Sequence, residues 1–482
     1  MLLLLACTGP DKPGDDTAAP ADDTAATDDT APPADDPTLA DAEVTFVGAA
    51  QDGAASALSG LGDTDGDGAP DLAVAAFYGN EVCAWSGPVA PGAHPMDEGT
   101  CLAGEATYDF FGYALAGVGD LDGDGLTDLA VGAVGSDDAG TEAGEVYLYF
   151  GPLVARAASG TSLLGEAPGD FLGANVIGGS DLDGDALPDW LVAATGNDAN
   201  GGGGGRVYLV SGVPEPGERT ITEVATATLT GVGGSAALMH GSSTGGDALG
   251  EAMAVVGDVD GDGLDDLLLG GSGSDQGGAD AGIAWLVFGP VSGSYGVEDA
   301  DTRFVGPGPS AYVGGAVTGP GDLDGDGLAD LAVAADGWEE GRVYLLSAPA
   351  PGDVDLAGAE RALAGSATLD EVGWSLASPG DLDGDGRPDL LVGVPGLDGV
   401  GEDAGAAWLV TGIGEGVQRL GEVGVVIQGE AAGDSAGRAL GLAGDTDEDG
   451  VTDVLVGALY NQEGGVFAGK GYLLSGAALV ER

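Results

Sequence analysis

Short apolar runs, separated by glycine and aspartate, follow one another along almost the whole chain. In one representative unit these runs cover residues 111–119, 129–133, 144–149 and 163–165, with polar turn residues between them. None of the runs repeats apolar residues every three to four positions, as one face of a helix would. Short runs bounded by turn residues are typical of β-strands. The pattern predicts an all-β protein whose repeating unit has four strands.

A second pattern gives the number of units. The motif Asp-x-Asp-x-Asp-x-x-x-Asp occurs seven times, at intervals of 57 to 77 residues, and always lies between the first and second apolar runs. A period near 60 residues is longer than the common helical repeats and suits a four-stranded propeller blade with its loops. We therefore predict that residues 42–482 form a seven-bladed β-propeller of four-stranded blades.

The two ends of the chain are offset relative to this repeat. The first β-like segment, residues 44–48, matches a fourth run such as residues 303–306, whereas the last unit stops after its third run at residues 471–474. A ring of blades leaves no open edge only if its first and last units are joined. The N-terminal strand is therefore predicted to complete the last blade.

The N-terminal region has a different composition. Leu4-Leu5-Ala6-Cys7 resembles the lipobox of bacterial lipoproteins, so residues 1–7 are interpreted as a partial signal peptide with Cys7 as the lipidated residue. A trimmed or unusual N-terminus is the open alternative. Residues 8–41 are mostly Asp, Thr, Ala and Pro and are predicted to be a disordered tether. The expected location is extracytoplasmic, on the outer surface or in the periplasm, with the protein lipid-anchored or secreted.

Charge and missing motifs exclude several functions. The chain has 12 Lys and Arg against 81 Asp and Glu, a formal net charge of −69. Such a chain is repelled by phosphate backbones and anionic membranes, so we predict no nucleic-acid partner and membrane contact only through a lipid anchor. We find no zinc-protease, nucleophile-elbow or phosphate-loop motif in a plausible setting, and we predict no enzyme.

Phe111-Gly112, the acidic loop at residues 120–128 and Gly132-Ala133 together resemble the FG-GAP repeat of integrin α subunits and many bacterial extracellular proteins. The resemblance extends over residues 44–482. It implies a propeller whose acidic loops bind Ca²⁺ between the first and second strands on one face. The opposite face, formed by loops 2–3 and 4–1, is then the ligand and partner side.

The acidic loops suit Ca²⁺, which takes six to eight oxygen ligands. An EF-hand begins similarly, but it has Glu at position 12, where these loops have Val or Leu within a β-like run. We therefore expect up to seven Ca²⁺ ions. The first carboxylates are Asp63, Asp120, Asp181, Asp258, Asp322, Asp381 and Asp445. Those at position 3 are Asp65, Asp122, Asp183, Asp260, Asp324, Asp383 and Asp447. Those at position 5 are Asp67, Asp124, Asp185, Asp262, Asp326, Asp385 and Asp449. Backbone carbonyls come from position 7, at Ala69, Leu126, Leu187, Leu264, Leu328, Arg387 and Val451. Position 9 closes each shell with Asp71, Asp128, Asp189, Asp266, Asp330, Asp389 and Asp453.

Position 6 of the loop distinguishes the third repeat. It is glycine in six loops and Ala186 in the third. Glycine permits the positive φ of a sharp loop, whereas alanine is strained there. The third site is therefore predicted to bind Ca²⁺ most weakly.

Two cysteines remain besides Cys7. Aligning the repeats places Cys83 on the third strand of the first blade and Cys101 on its fourth strand. Neighbouring antiparallel strands can bring two sulfurs together, so a disulfide and a pair of reduced core cysteines are both open.

The expected function is that of a calcium-binding, cell-surface binding or adhesion module. It would take a protein or glycan ligand through the face opposite the calcium loops, where Tyr78, His240, Trp338 and Tyr460 are candidate ligand contacts. The alternative is a structural or accessory envelope protein without its own ligand. An enzyme-associated propeller is less favoured.

Overall fold

A computed structural model describes residues 37–155, 159–233, 246–347, 351–365, 370–414 and 416–480. Within these residues the strands form seven sheets, each with four antiparallel strands. The first strands of successive blades contact one another, and that of blade 7 contacts that of blade 1. This confirms the all-β, seven-bladed propeller of four-stranded blades.

The blades share one strand order from the centre of the ring outwards. The first strands are Ala54–Gly62, Phe111–Gly119, Leu172–Ser180, Met253–Gly257, Val313–Gly321, Leu376–Gly380 and Ala436–Gly444. The second strands are Asp71–Ala76, Asp128–Ala133, Asp189–Ala194, Asp266–Gly271, Asp330–Ala335, Asp389–Val394 and Asp453–Ala458. The third strands are Glu81–Trp85, Glu145–Tyr149, Arg206–Ser211, Ile283–Val287, Arg342–Leu346, Ala406–Val410 and Lys470–Leu474. The fourth strands are Thr100–Ala103, Thr161–Leu164, Ala227–Thr230, Thr302–Val305, Ala362–Ala364, Val425–Gln428 and Val44–Val47, the last belonging to blade 7.

The hydrophobic core lies between neighbouring blades. Every residue of each second strand is buried, and alternate side chains face the two neighbours: Val74 packs towards blade 7, whereas Ala73 and Ala75 pack towards blade 2. Tyr147 and Tyr149 on the third strand of blade 2 lie in the buried cluster that this blade shares with Val82 and Leu102 of blade 1. The aromatic residues on the third strands therefore pack sheet against sheet, because both faces of each blade are covered.

The ring closes as predicted. Val44–Val47 pairs antiparallel with the third strand of blade 7, where Phe46 lies opposite Gly471. The Phe46 side chain is fully buried. Lys470 on the same third strand is itself buried, and its Nζ lies 2.9 Å from Glu430 Oε1 and 2.7 Å from Glu463 Oε2. Because Glu430 follows the last strand of blade 6, this ion pair ties blades 6 and 7 together.

Five blades have a fifth, short strand that the sequence pattern does not predict. These strands are Gly92–Pro95, Gly217–Thr220, Gly293–Gly296, Gly352–Asp355 and Val417–Arg419. Each lies between the third and fourth strands of one blade and pairs parallel with the fourth strand of the preceding blade. His94 lies in the first of them. They cover outer edges that would otherwise offer unpaired backbone groups.

Within the described residues a short helical turn precedes the fourth strand in six blades and begins with a buried apolar residue. The turns are Leu39–Asp41, Met96–Glu98, Ile221–Val224, Val297–Asp299, Leu356–Gly358 and Leu420–Glu422, and a further helix is Gly476–Val480.

The turn at Leu39 corrects the tether boundary. Thr38 pairs with Gln428, and Leu39 is fully buried in the cluster that contains Leu391. Residues 37–41 therefore belong to the ring, because Leu39 fills the same site as Met96. Residues 1–36, with Cys7, lie outside the described residues.

Candidate functional site

The seven acidic loops connect first to second strands on one face of the ring and share one set of hydrogen bonds. The position-1 carboxylate accepts from the backbone N–H of position 6 at 2.8–3.0 Å in every loop. The position-5 carboxylate accepts from the N–H of position 7 at 2.8–2.9 Å. The buried position-9 carboxylate accepts from the N–H of position 2 at 2.7–2.9 Å. These bonds fold nine residues into the same tight turn seven times.

The loop carboxylates converge as a cation site requires. In the first three loops the oxygens of positions 1, 3 and 9 lie within 4.8 Å of one another, and in the fourth those of positions 1, 3 and 5 do so. Two oxygens on opposite sides of a Ca²⁺ ion are separated by about 5 Å. Among the described residues, no Lys or Arg forms an ion pair with a loop carboxylate. An all-oxygen donor set with this spacing fits a hard divalent cation. In the fifth loop the positive charge of the buried Arg361 partly offsets the carboxylates, since it acts to lower the pKa of Asp330 against the larger effect of burial.

Two loops place a side chain where the others have glycine. Ala186 at position 6 has φ +70°, and the equivalent Gly125 has φ +92°. Glu448 at position 4 of the seventh loop has φ +62°, whereas Gly123 at position 4 of the second loop has φ +80°. The conformation expected of Ala186 is confirmed. The second strained residue went unnoticed in the sequence, although comparing position 4 across the seven loops could have revealed it.

Exchanging alanine and glycine at position 6 isolates the cost of this backbone strain. A Cβ added at Gly125 would have no neighbour within 4 Å, so Gly125→Ala changes only the backbone preference. Strain of about 1 kcal/mol corresponds to about a fivefold loss of affinity. We expect the third site to be the weakest, Ala186→Gly to strengthen it, and Gly125→Ala to weaken the second site. Site-resolved Ca²⁺ titration by NMR measures all three, and a third site among the tightest would contradict the explanation.

Burial perturbs the position-9 carboxyls. Desolvation raises the pKa of each of the seven, and repulsion from neighbouring loop carboxylates adds to it. The pKa reaches about 6 for Asp128 and about 6 for Asp389. The others with a raised pKa are Asp71, Asp189, Asp266, Asp330 and Asp453. In the metal-free fold these carboxyls therefore take up protons at a higher pH than an exposed aspartate does.

Metal should reverse the pH dependence of stability. A carboxyl whose folded pKa exceeds its unfolded value stabilises the fold at low pH, and this stability is lost as pH rises through the folded pKa. In chelator, acidification from pH 7.5 to 5.5 is expected to raise the Tm by about 2 °C. In saturating Ca²⁺ the same change should lower the Tm, because protons compete with the ion. Calorimetry at both pH values tests this, and slopes of the same sign would contradict it.

The two cysteines are joined in the structure. Cys83 and Cys101 lie directly opposite each other on the third and fourth strands of blade 1, and their sulfurs form a disulfide. The predicted strand positions are confirmed, and of the two open alternatives the structure has the bonded one. A disulfide persists in oxidising compartments.

The face opposite the acidic loops is called the loop face here, and it carries an aromatic patch made of Phe77, Tyr78, Phe110 and Tyr113. The ring centroids of Phe77 and Tyr78 are 4.1 Å apart, and Phe77 lies 6.0 Å from Phe110 and 5.9 Å from Tyr113. Tyr78 is 37% exposed. These rings lie over blades 1 and 2.

The remaining candidate ligand contacts differ in their surroundings. Tyr460 lies 5.8 Å from the half-exposed Phe467 on blade 7, centroid to centroid, and so adjoins the loop face. Trp338 packs against the hydrophobic cluster between blades 4 and 5, which favours a packing role. His240 lies outside the described residues.

A cavity of about 390 Å³ opens on the loop face at the mouth of the central channel, and all seven blades line it. Each blade contributes one half-buried residue at or just before the start of its first strand, two positions after the start of the repeat. These residues are Ser56, Tyr113, Ala174, Glu251, Gly315, Trp374 and Arg438. We call them the mouth residues. The residue that precedes each is glycine in six blades, and the residue that follows is small. The mouth residues, in contrast to these neighbours, vary from glycine to tryptophan and include one acidic and one basic side chain.

Known proteins match the repeat itself. A family model described as FG-GAP repeat matches residues 111–149, 314–346 and 372–410, which are the first three strands and the acidic loops of blades 2, 5 and 6. Human integrin alpha-E is 40% identical over 94 residues, 18% of this chain and 8% of the integrin. Human integrin alpha-7 is 34% identical over 151 residues, 29% of this chain and 12% of the integrin. The chain thus spans about a tenth of the length of these relatives.

A solved structure of BBS1N in complex with ARL6DN aligns with a TM-score of 0.42 and 10% identity, over 91% of this chain and 97% of that one. Among the described residues, the helices are all too short to cross a membrane.

Proposed function

We propose that this chain, an FG-GAP repeat protein folded as a seven-bladed β-propeller, is a calcium-stabilised binding module that takes a protein or glycan ligand on its loop face. The proposal rests mainly on the aromatic patch, which lies beside the cavity at the channel mouth on the loop face, opposite the acidic loops. Exposed aromatic side chains beside a concave site are typical anchors of ligands. The similarity to integrin alpha chains supports a binding role rather than a catalytic one.

Calcium would be held by the loop carboxylates of positions 1, 3, 5 and 9 and the carbonyl of position 7. Its charge would offset the repulsion among carboxylates that the loop hydrogen bonds bring together. The ion would therefore stiffen one face of the ring while ligand binds the other. Seven ions would change the formal charge from −69 to −55.

The proposed location is extracytoplasmic. The disulfide between Cys83 and Cys101 agrees with an oxidising compartment, and a lipid at Cys7 would attach the protein to a membrane. Mass spectrometry of the protein purified from its natural source tests the anchor: a diacylglyceryl-modified Cys7 as the new N-terminus is expected. An unmodified, extended N-terminus would contradict the anchor without affecting the binding proposal.

Binding on the loop face is tested with two matched pairs of surface substitutions. Full-length protein in Ca²⁺ is applied to glycan and protein arrays, and a captured partner is then titrated by surface plasmon resonance. We expect Tyr78→Ala combined with Phe467→Ala to weaken binding at least tenfold. Val154→Ala combined with Val417→Ala removes similarly exposed apolar groups from the metal side and should have no effect. Equal losses in both pairs, or no capture by either array, would favour an accessory protein without a ligand.

A further inference from the structure

The mouth residues divide the channel entrance into a bulky side and an open side. On one side, Tyr113, Trp374 and Arg438 of blades 2, 6 and 7 lie to either side of the small Ser56 of blade 1. On the other side, Ala174 and Gly315 of blades 3 and 5 leave space to either side of Glu251 of blade 4. Seven equivalent backbone positions therefore produce an asymmetric cavity. Because the framework around these positions is so uniform, packing alone does not require such different side chains there.

The bulky side has a preformed polar and aromatic wall. The Arg438 guanidinium carbon lies 4.3 Å from the centroid of the Trp374 ring and 5.6 Å from that of Tyr460. A guanidinium stacked on an aromatic face is held in place while its N–H groups remain directed in one plane. The wall is therefore ordered before any ligand arrives, which lowers the entropic cost of binding.

The charges in this cavity differ from those of the rest of the molecule. Glu251 and Arg438 are the charged residues among its lining, one of each sign, in a chain whose net charge is −69. Asn175 also lines the cavity, and its amide Nδ2 donates to the Glu251 carbonyl oxygen at 3.1 Å. A site with balanced charge suits a neutral ligand that both accepts and donates hydrogen bonds.

We infer that the channel mouth binds a neutral pyranose, as the terminal sugar of a glycan. A pyranose ring offers an apolar face to an aromatic ring and hydroxyls at its edge to planar groups such as guanidinium and amide. The Glu251 carboxylate accepts a hydrogen bond from Ser272 Oγ and supplies negative charge to the site. A cavity of about 390 Å³ is in the range of small-ligand sites. This inference rests on the proposed function and narrows it to one ligand class.

The direct test is saturation-transfer NMR of the full-length, Ca²⁺-loaded protein with the methyl pyranosides of glucose, galactose and mannose. At least one pyranoside should receive saturation in its ring protons. Gly315→Phe should abolish this transfer by filling the open side, since a Cβ at Gly315 meets its nearest neighbours at 3.6 Å and fits the fold. Gly421→Phe adds the same ring to an exposed turn on the metal side and should leave transfer unchanged. Trp374→Ala should reduce the transfer at least tenfold.

Three results would overturn the sugar site. The first is that no pyranoside receives saturation, and the second is that Gly315→Phe and Gly421→Phe show equal transfer. The third is that the protein captures peptides from a random library, that Gly315→Phe blocks this capture, and that the sugars do not bind. In each case the substitutions at Tyr78 and Phe467 still report on the proposed function. If they weaken array binding, the ligand lies at the rim of the loop face, and only the sugar site fails.

Discussion

Chelating divalent cations is expected to lower the Tm of the full-length protein by about 20 °C relative to Ca²⁺ at 100 times its Kd. At that concentration each site stabilises the fold by about 2.7 kcal/mol, and the unfolding entropy is about 2 cal/mol/K per residue. The effect is large because each loop brings four carboxylates together, and no Lys or Arg of the described residues forms an ion pair with them. Differential scanning calorimetry in chelator and in graded Ca²⁺ measures it, with elemental analysis to count about seven bound ions.

Single substitutions assign the effect to the loops. Asp122→Asn removes one ligand charge from the second loop and should lower the ion count by one, because the position-3 side chain accepts only a loop N–H. Asp299→Asn removes the same charge from an exposed helical turn and should change neither the count nor the Tm. An identical Tm in chelator and in Ca²⁺ would show that the loops are solvated turns.

The acidic loops and the ring closure could be predicted because each depends on a repeated local signal. Aspartate recurs in all seven loops at positions 1, 3, 5 and 9, and the segment at Val44–Val47 shares its Phe-Val pair with the fourth strand Thr302–Val305. The fifth strands could not be predicted in this way. Segments such as Gly217–Thr220 have no alternating apolar residues, since their strand character comes only from pairing with the neighbouring blade.

The candidate ligand site shows the same distinction. Trp338 lies in a loop, where the sequence suggests a ligand contact, yet its side chain packs against the hydrophobic cluster between blades 4 and 5. Trp374 and Arg438, which line the channel mouth, lie at or just before the start of the first strands of blades 6 and 7, a position that no sequence motif marks as a ligand site. The convergence of seven strands on one axis is a property of the ring, and no single repeat shows it.

Removing the N-terminal segment step by step should show where the ring begins. Deletion of residues 1–48 removes the fourth strand of blade 7 with the buried Phe46, and exposes the edge of Lys470–Leu474. Loss of a buried phenylalanine alone costs about 3–5 kcal/mol, and an open strand edge promotes aggregation. We expect this variant to lose at least 5 °C in Tm and to aggregate.

Two shorter deletions locate the boundary. Deletion of residues 1–41 retains the closing strand but removes the fully buried Leu39. Loss of a buried leucine side chain lowers the free energy of unfolding by about 2–5 kcal/mol, so we expect an intermediate Tm. Deletion of residues 1–36 retains every buried residue described above and should leave the Tm within about 1 °C of the full chain. If deleting 1–41 were as harmless as deleting 1–36, the turn at Leu39 would not contribute to closure. If deleting 1–48 were equally harmless, the N-terminal strand would not close the ring, because an open blade with an unpaired edge cannot retain the stability of a closed one.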